Sequence, residues 1–136
     1  MKSVAKGLSA LLLLVAGSGA YAAPADDTCE ALRSARIHLV ALMGATNKIA
    51  LDNHSKQVHA ASARLDTLLA AMIHGQNGKD ASNAREFQPV WEAFKDTRET
   101  QIIPALYAGH LDAARGIALG IQGERMKKMK AILGCK

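Results

Sequence analysis

Apolar residues recur at intervals of three and four over most of the chain, the pattern of helices that bury one face. Four such segments follow one another, separated by short polar or glycine-containing stretches. We predict helices over residues 28–51, 55–74, 83–107 and 111–133. The segments show no two-residue alternation, Ala is abundant and β-branched residues are sparse, so the predicted fold class is all-α.

Each predicted helix carries a set of residues that we expect to face a common core. Charged or amide side chains stand in two of these sets, at Arg98, Gln101 and Arg125. Kinks are expected at Pro89 and Pro104, because proline cannot donate a helical hydrogen bond. The expected inward sets are Leu32, Ala35, Leu39, Leu42, Thr46 and Ile49; Val58, Ala61, Leu65, Leu68 and Met72; Phe87, Trp91, Phe94, Arg98, Gln101 and Ala105; and Leu111, Ala114, Ala118, Ile121, Arg125, Met129 and Ile132.

Polar residues mark the expected helix ends. Asp27 with Glu30, and Asn83 with Glu86, fit capping boxes at the first and third helices. Turns are expected at residues 52–55, 75–80 and 108–110. Helices of this length joined by short loops predict an antiparallel up-down-up-down four-helix bundle.

The two cysteines support this topology. Cys29 lies near the start of the first helix and Cys135 follows the last. An up-down-up-down bundle brings these ends to one pole, so we predict a disulfide between them, as is common in exported small domains.

The first 22 residues have the layout of a cleavable export signal rather than of the fold. Lys2 and Lys6 precede a short apolar run, and small residues at Ala20 and Ala22 suit cleavage after Ala22. The run is shorter than the roughly 20 residues that span a bilayer. A retained amino-terminal anchor is the alternative. We therefore expect a periplasmic domain over residues 23–136, with no stable membrane insertion after cleavage.

Composition and missing motifs disfavour two classes of function, nucleic-acid binding and catalysis. Hydrophobic residues make up 49% of the chain and aromatic residues only 4%, so the core is expected to be aliphatic. The net charge is +5, of which Lys2 and Lys6 supply two, leaving +3. The basic residues are dispersed and lack interleaved aromatics, which disfavours nucleic acid as a partner. Catalytic motifs such as G-x-S-x-G, a phosphate loop or H-E-x-x-H are missing, so we do not expect an enzyme.

One candidate site is a small pocket for a carboxylate or similar anion. Buried guanidinium groups need anionic or carbonyl partners, and Arg98 and Arg125 both stand in or beside inward positions. Gly116, Gly120 and Gly123 repeat on the fourth helix, where they let a ligand or a helix approach closely. The alternative is that the arginines extend to the surface and the glycines only permit tight packing. The predicted lining is Arg98, Gln101, Gly120, Arg125 and Trp91.

A second candidate is a haem site. His38 lies nine residues after Cys29, and Met126 lies nine before Cys135, so the predicted topology sets them level, with Met129 within a turn. A His/Met axial pair holds haem in some electron carriers. The alternative is that the methionines fill gaps in the core and the histidine is a surface residue.

Residues 87–133 resemble the periplasmic four-helix-bundle sensor domain of bacterial chemoreceptors. The similarity rests on W-x-x-F-x-x-x-R from Trp91 to Arg98, on A-L-x-A-G-x-x-x-A-A from Ala105 to Ala114, and on R-x-x-x-M from Arg125. The resemblance implies recognition of small organic acids or amino acids at helix interfaces, commonly in a homodimer. It also implies Arg98 and Arg125 as contacts.

The same resemblance sets the expected role. Receptors of that family continue into a transmembrane helix and a signalling part, whereas no such segment follows here before Lys136. We therefore expect a free-standing ligand-binding or sensory accessory module, without a cofactor, that works with a membrane receptor or as a homodimer.

The chain is also similar to periplasmic four-helix-bundle cytochromes, which share the G-x-x-x-x-A start of the last helix at Gly109. Those proteins place a Met early in the first helix and a His late in the last, the reverse of His38 and Met126, and the covalent forms end in C-x-x-C-H. A haem-binding electron carrier and a structural or chaperone-like bundle remain the two alternatives.

Overall fold

The computed structural model describes residues 24–136, and the predicted export signal lies outside these residues. The described part is helical throughout, without a strand, so the all-α class is confirmed. It comprises four helical segments, two of which are interrupted. In chain order the elements are α1 (Pro24–Met43), α2 (Lys48–His74), α3 (Gly78–Thr97), a π-helical turn (Arg98–Ile102), α4 (Ile103–Tyr107), α5 (Leu111–Leu119) and α6 (Ile121–Leu133).

The first interhelical turn lies earlier than predicted. α1 ends at Met43, and Asn47 caps α2 by accepting a hydrogen bond at 2.9 Å from the Ala50 amide. The turn predicted at residues 52–55 is wrong, because that segment lies inside α2, where Asp52 bonds Lys48 one turn back. Thr46 and Ile49, which we expected to face inward, are consequently exposed.

The third segment starts earlier than predicted, at Gly78 rather than near Asn83. Asn77 accepts hydrogen bonds from the amides of Lys79 and Asp80, which satisfies two donors of the first turn. Pro89 lies within α3 and does not interrupt it, whereas Pro104 is the second residue of α4, which follows the π-helical turn.

The π-helical turn changes which residues face the core. The Ile103 amide bonds the Arg98 carbonyl five residues back, so this turn holds one residue more than an α-helical turn. Beyond Arg98, Ile102 and Leu106 are therefore buried. The predicted inward position of Gln101 is wrong, since its side chain is exposed.

The fourth segment is broken at Gly120, and the break again shifts the buried face by one position. Ile121, expected to point inward, is half exposed, while Gln122 is 2% exposed. From Gln122 the buried positions continue at spacings of four, three and four, through Met126 and Met129 to Leu133.

The core combines aliphatic residues of α1 and α2 with Phe87, Trp91 and Phe94 of α3 and the methionines of α6. The sulfurs of Cys29 and Cys135 lie at bonding distance, with their Cα atoms 5.6 Å apart, which agrees with the predicted pairing. Within residues 24–136 no helix combines the length and the apolar character that crossing a membrane would require.

Candidate functional site

A groove opens where α1 faces α5 and α6. α1 packs along α2 over much of its length, but its backbone approaches α5 and α6 closely at few positions. The space left between them has a volume of about 280 Å³, and we call it the α1/α6 groove. Its lining consists of Arg36, Leu39, Val40, Met43, Phe94, Ala118, Leu119, Gln122, Gly123, Met126, Lys127 and Lys130.

The floor of the groove is mostly apolar, and the side-chain amide of Gln122 fixes its shape through hydrogen bonds. Phe94, Leu39 and Met126 are buried there. The Gln122 amide nitrogen donates to the Phe94 carbonyl at 2.8 Å, and its oxygen accepts a hydrogen bond from Arg125 at 3.0 Å. Both ends of this amide are therefore fixed, which gives the floor a defined shape.

Every charged residue that lines the groove is basic. Arg36 comes from α1, and Lys127 and Lys130 come from α6. Lys127 pairs with Glu124, whose carboxylate lies 3.7 Å from the Lys127 ammonium, and both side chains are largely exposed. An ion pair this exposed is weak and neutralises little of the basic charge. The groove therefore keeps a positive potential above an apolar floor.

The predicted site residue Arg98 lies elsewhere, at the start of the π-helical turn, where its side chain meets α2. Arg98 is 2% exposed and donates to Ser62 at 2.7 Å and to the Glu99 carboxylate at 2.8 Å. Ser62 in turn donates to the Val58 carbonyl, and His59 Nε2 lies within hydrogen-bond distance of both carboxylate oxygens of Glu99. Internal partners thus already satisfy the guanidinium.

Glu99 is the counterion that makes this burial tolerable. Burial alone raises the pKa of its carboxyl, but the hydrogen bonds from His59 and Arg98 outweigh that effect and hold the pKa below its ordinary value. The shallow depression beside Arg98 is also lined by Asp66, Glu92 and Asp96, and by Lys95, which pairs with the first two. Its acidic surroundings suit the internal ion pair better than a bound anion.

The other predicted lining residues do not gather around Arg98. Trp91 is buried, stacks on Phe94 with ring centroids 5.6 Å apart, and donates to Asp66 at 2.6 Å. Arg125 donates to Thr97 at 2.6 Å and to Gln122. Gly120 is an exposed junction, where an added Cβ would meet the Gly116 carbonyl of its own segment. None of the five predicted lining residues lines the α1/α6 groove, although Arg125 supports it through Gln122.

The sequence contained signals for the groove that the prediction did not use. Gln122 stands four residues before Met126 and seven before Met129, which is the spacing of one helical face. Lys127 and Lys130 belong to the basic cluster at the end of the chain, which has another role as a favourable partner of the helix dipole. Arg36 has no distinguishing sequence signal.

The residues of the predicted haem site differ in their burial. Met126 borders the groove, while Met129 is fully buried in the core. His38 is partly buried and is not among the residues that line the groove. A His38/Met126 axial pair therefore does not fit this groove. Within residues 24–136 no group of three or more His, Cys, Asp or Glu side chains is placed to hold a metal ion.

Comparisons with known proteins identified no relative of this chain. No family model matches the chain, and no curated protein and no solved structure matches it either.

Proposed function

We propose that this chain is a non-enzymatic, small-ligand-binding or sensory accessory module for an organic acid, with the α1/α6 groove as its site. One observation carries the proposal: an apolar floor lies beneath Arg36, Lys127 and Lys130, and no acidic residue shares the lining. An organic acid has the matching division into an apolar body and an anionic group. Arginine in particular pairs with carboxylates through two parallel hydrogen bonds.

The proposed setting is the periplasm, with the four segments in an antiparallel up-down-up-down bundle. Contacts between α2 and the third segment favour this arrangement, since Asp52 pairs with Tyr107, His59 with Glu99 and Asp66 with Trp91. Successive residues along α2 therefore meet progressively earlier residues of the third segment, as they do between two antiparallel helices. The paired cysteines and the export-like leader favour an oxidising compartment. A membrane receptor or a second copy of the chain would receive the ligand signal.

The test uses the one tryptophan as a reporter. Trp91 stacks on Phe94, and Phe94 lines the groove, so an occupant should alter Trp91 emission. We would titrate the oxidised protein with benzoate, hexanoate and octanoate, recording emission and melting temperature. We expect saturable emission changes, and a melting temperature that rises with acid concentration because ligand binds only the folded state.

Charge variants test the site. Lys130→Gln and Arg36→Gln should each weaken binding about tenfold, since a hydrogen bond to a charged group contributes roughly 1.5 kcal/mol. The matched control is Lys128→Gln, an exposed neighbour on α6 that does not line the groove. Equal weakening by all three variants would mean that only net charge matters, and the proposed site would be wrong.

Filling the groove gives an independent test. An added Cβ at Gly123 would meet only the Ala118 carbonyl, at 3.7 Å, so α6 can carry a larger side chain there. Gly123→Leu should therefore abolish acid binding without unfolding the protein. Gly116→Leu, where an added Cβ meets nothing within 4 Å, is the control and should bind normally. Arg98→Ala is not a useful variant, since it leaves buried partners unsatisfied.

The two alternatives have their own outcomes in the same experiments. A haem-binding electron carrier would develop a Soret band on titration with haem and would lose it on His38→Ala. A structural or chaperone-like bundle would ignore both ligands and self-associate through exposed apolar residues such as Ile37, Val40 and Leu119.

A further inference from the structure

We infer that the ligand of the α1/α6 groove is a single-chain fatty acid of medium length, with its carboxylate at the disulfide end and its tail along Val40 and Leu119. This inference rests on the proposed function and names the class of acid.

The first observation is a small cavity beside Cys29 and Cys135. It has a volume of about 60 Å³ and shares Arg36, Met126 and Lys130 with the groove. Arg33 and Lys136 complete its charged lining, and no acidic residue contributes. Four basic side chains therefore surround the end of the groove nearest the disulfide, which suits an anionic head group.

The second observation is that the end of the groove away from the disulfide is apolar. Beyond Arg36 the lining from α1 consists of Leu39, Val40 and Met43, and α5 adds Ala118 and Leu119. None of these five residues is charged. The exposed fractions are 54% for Val40 and 83% for Leu119, so apolar surface lies open to water where a hydrocarbon tail would cover it.

The length of the apolar part limits the tail. Arg36 and Met43 are seven residues apart on α1, which corresponds to about 10 Å at 1.5 Å per residue. A medium-length alkyl chain spans that distance, whereas a two- or three-carbon acid fills only the basic end. Each methylene added within the groove should tighten binding about fourfold. The gain should stop once the tail passes Leu119 and enters solvent.

The experiment is calorimetric titration of the oxidised, full-length mature protein with butanoate, octanoate, dodecanoate and octanol. We expect affinity to rise steeply from butanoate to octanoate and then to level off. Octanol, which has the same tail without the charge, should bind at least tenfold more weakly than octanoate.

Matched variants test the orientation. Val40→Gln should weaken octanoate binding at least fivefold and leave butanoate binding unchanged. Ile37→Gln is its control, because Ile37 is similarly exposed on α1 but does not line the groove. Arg33→Gln and Lys136→Gln should weaken both acids, whereas Lys128→Gln should weaken neither.

The failure of this inference is distinguishable from that of the proposed function. If no carboxylate binds, the proposed function itself is wrong. If butanoate binds as tightly as octanoate, or Val40→Gln behaves like Ile37→Gln, the site binds acids but the fatty-acid assignment is overturned. Equal affinities for octanol and octanoate would overturn the placement of the head group.

Discussion

Arg98 shows how a single buried cation is accommodated in a helical core. An unpaired buried charge is costly, whereas here each end of the guanidinium has a partner. Glu99 neutralises the charge, and the Ser62 hydroxyl accepts a hydrogen bond from Arg98 while donating one to the Val58 carbonyl. The side chain is therefore part of the framework that joins α2 to the third segment.

The first prediction concerns this buried hydroxyl. Ser62→Ala should lower the free energy of unfolding by about 1–3 kcal/mol, because an Arg98 donor loses its partner inside the protein. Urea denaturation measures the change. Thr67→Ala is the control, since Thr67 makes the same backbone hydrogen bond four residues back on α2 but is exposed. Its effect should stay within about 0.5 kcal/mol. If both variants lower the free energy of unfolding equally, water has replaced the Ser62 hydroxyl as the partner of Arg98.

The second prediction is a pH dependence that arises from Glu99. The pKa of its carboxyl lies below the ordinary 4.5 because of the hydrogen bonds from His59 and Arg98. The stabilisation that ionised Glu99 provides is therefore fully present above pH 4.5. It is lost as pH falls through the lowered pKa of the folded state. The difference in unfolding free energy between the natural protein and Glu99→Gln should shrink as pH decreases below 4.5. Urea titrations at a series of pH values measure this, and a constant difference would contradict it.

At the scale of the element, two irregular turns decide which residues are buried. The π-helical turn adds one residue before Pro104, and the break at Gly120 moves the inward face of α6 by one position. Both changes replace a predicted inward residue by its neighbour: Ile102 takes the place of Gln101, and Gln122 that of Ile121. Gln122, the amide that fixes the groove floor, owes its position to the break.

The third prediction compares two glycines on the fourth segment. Gly120→Ala would place a Cβ 2.9 Å from the Gly116 carbonyl, so backbone must move, at a cost of about 1–3 kcal/mol. Gly116→Ala has open space and should instead stabilise α5 by up to about 1 kcal/mol. Thermal and urea unfolding measure both. If Gly120→Ala is as stabilising as Gly116→Ala, the break is not an obligatory part of the fold.

At the scale of the whole molecule, the disulfide and the groove belong to the same end. Cys29 and Cys135 join the first turns of α1 to the residues after α6, and they line the small cavity that continues from the groove. Because α1 has few close approaches to α5 and α6, this covalent bond ties α1 to the end of the fourth segment beside the groove.

The fourth prediction is the contribution of that link to stability. The cysteines are 106 residues apart, so their bond should contribute about 4–5 kcal/mol by restricting the unfolded chain. The double variant Cys29→Ser, Cys135→Ser should unfold at correspondingly lower urea concentration. Reductant should reproduce this in the natural protein and leave the variant unaffected. Equal midpoints with and without reductant would show that the bond contributes no stability.

The sequence determined the features that depend on local spacing. Apolar residues three and four apart specify helix and its buried face, and they correctly placed Leu32, Leu39, Leu65 and Phe94 in the core. The pairing of Cys29 with Cys135 also followed, because it needs only the order and approximate length of the helices. The first turn was misplaced because Asn47 and the segment 52–55 carry similar turn-forming residues, and only the cap hydrogen bond distinguishes them.

Only the tertiary structure decided where the candidate site lies. Arg98 is buried as its spacing predicts, but whether it meets a ligand or Glu99 and Ser62 depends on how the third segment packs on α2. Hydrophobic spacing along one helix does not encode that packing. The groove likewise exists because α1 packs on α2 and stays apart from α5 and α6. Arg36 and Lys130 are distant in sequence and ordinary in type. They line one site only because packing and the disulfide bring their helices side by side.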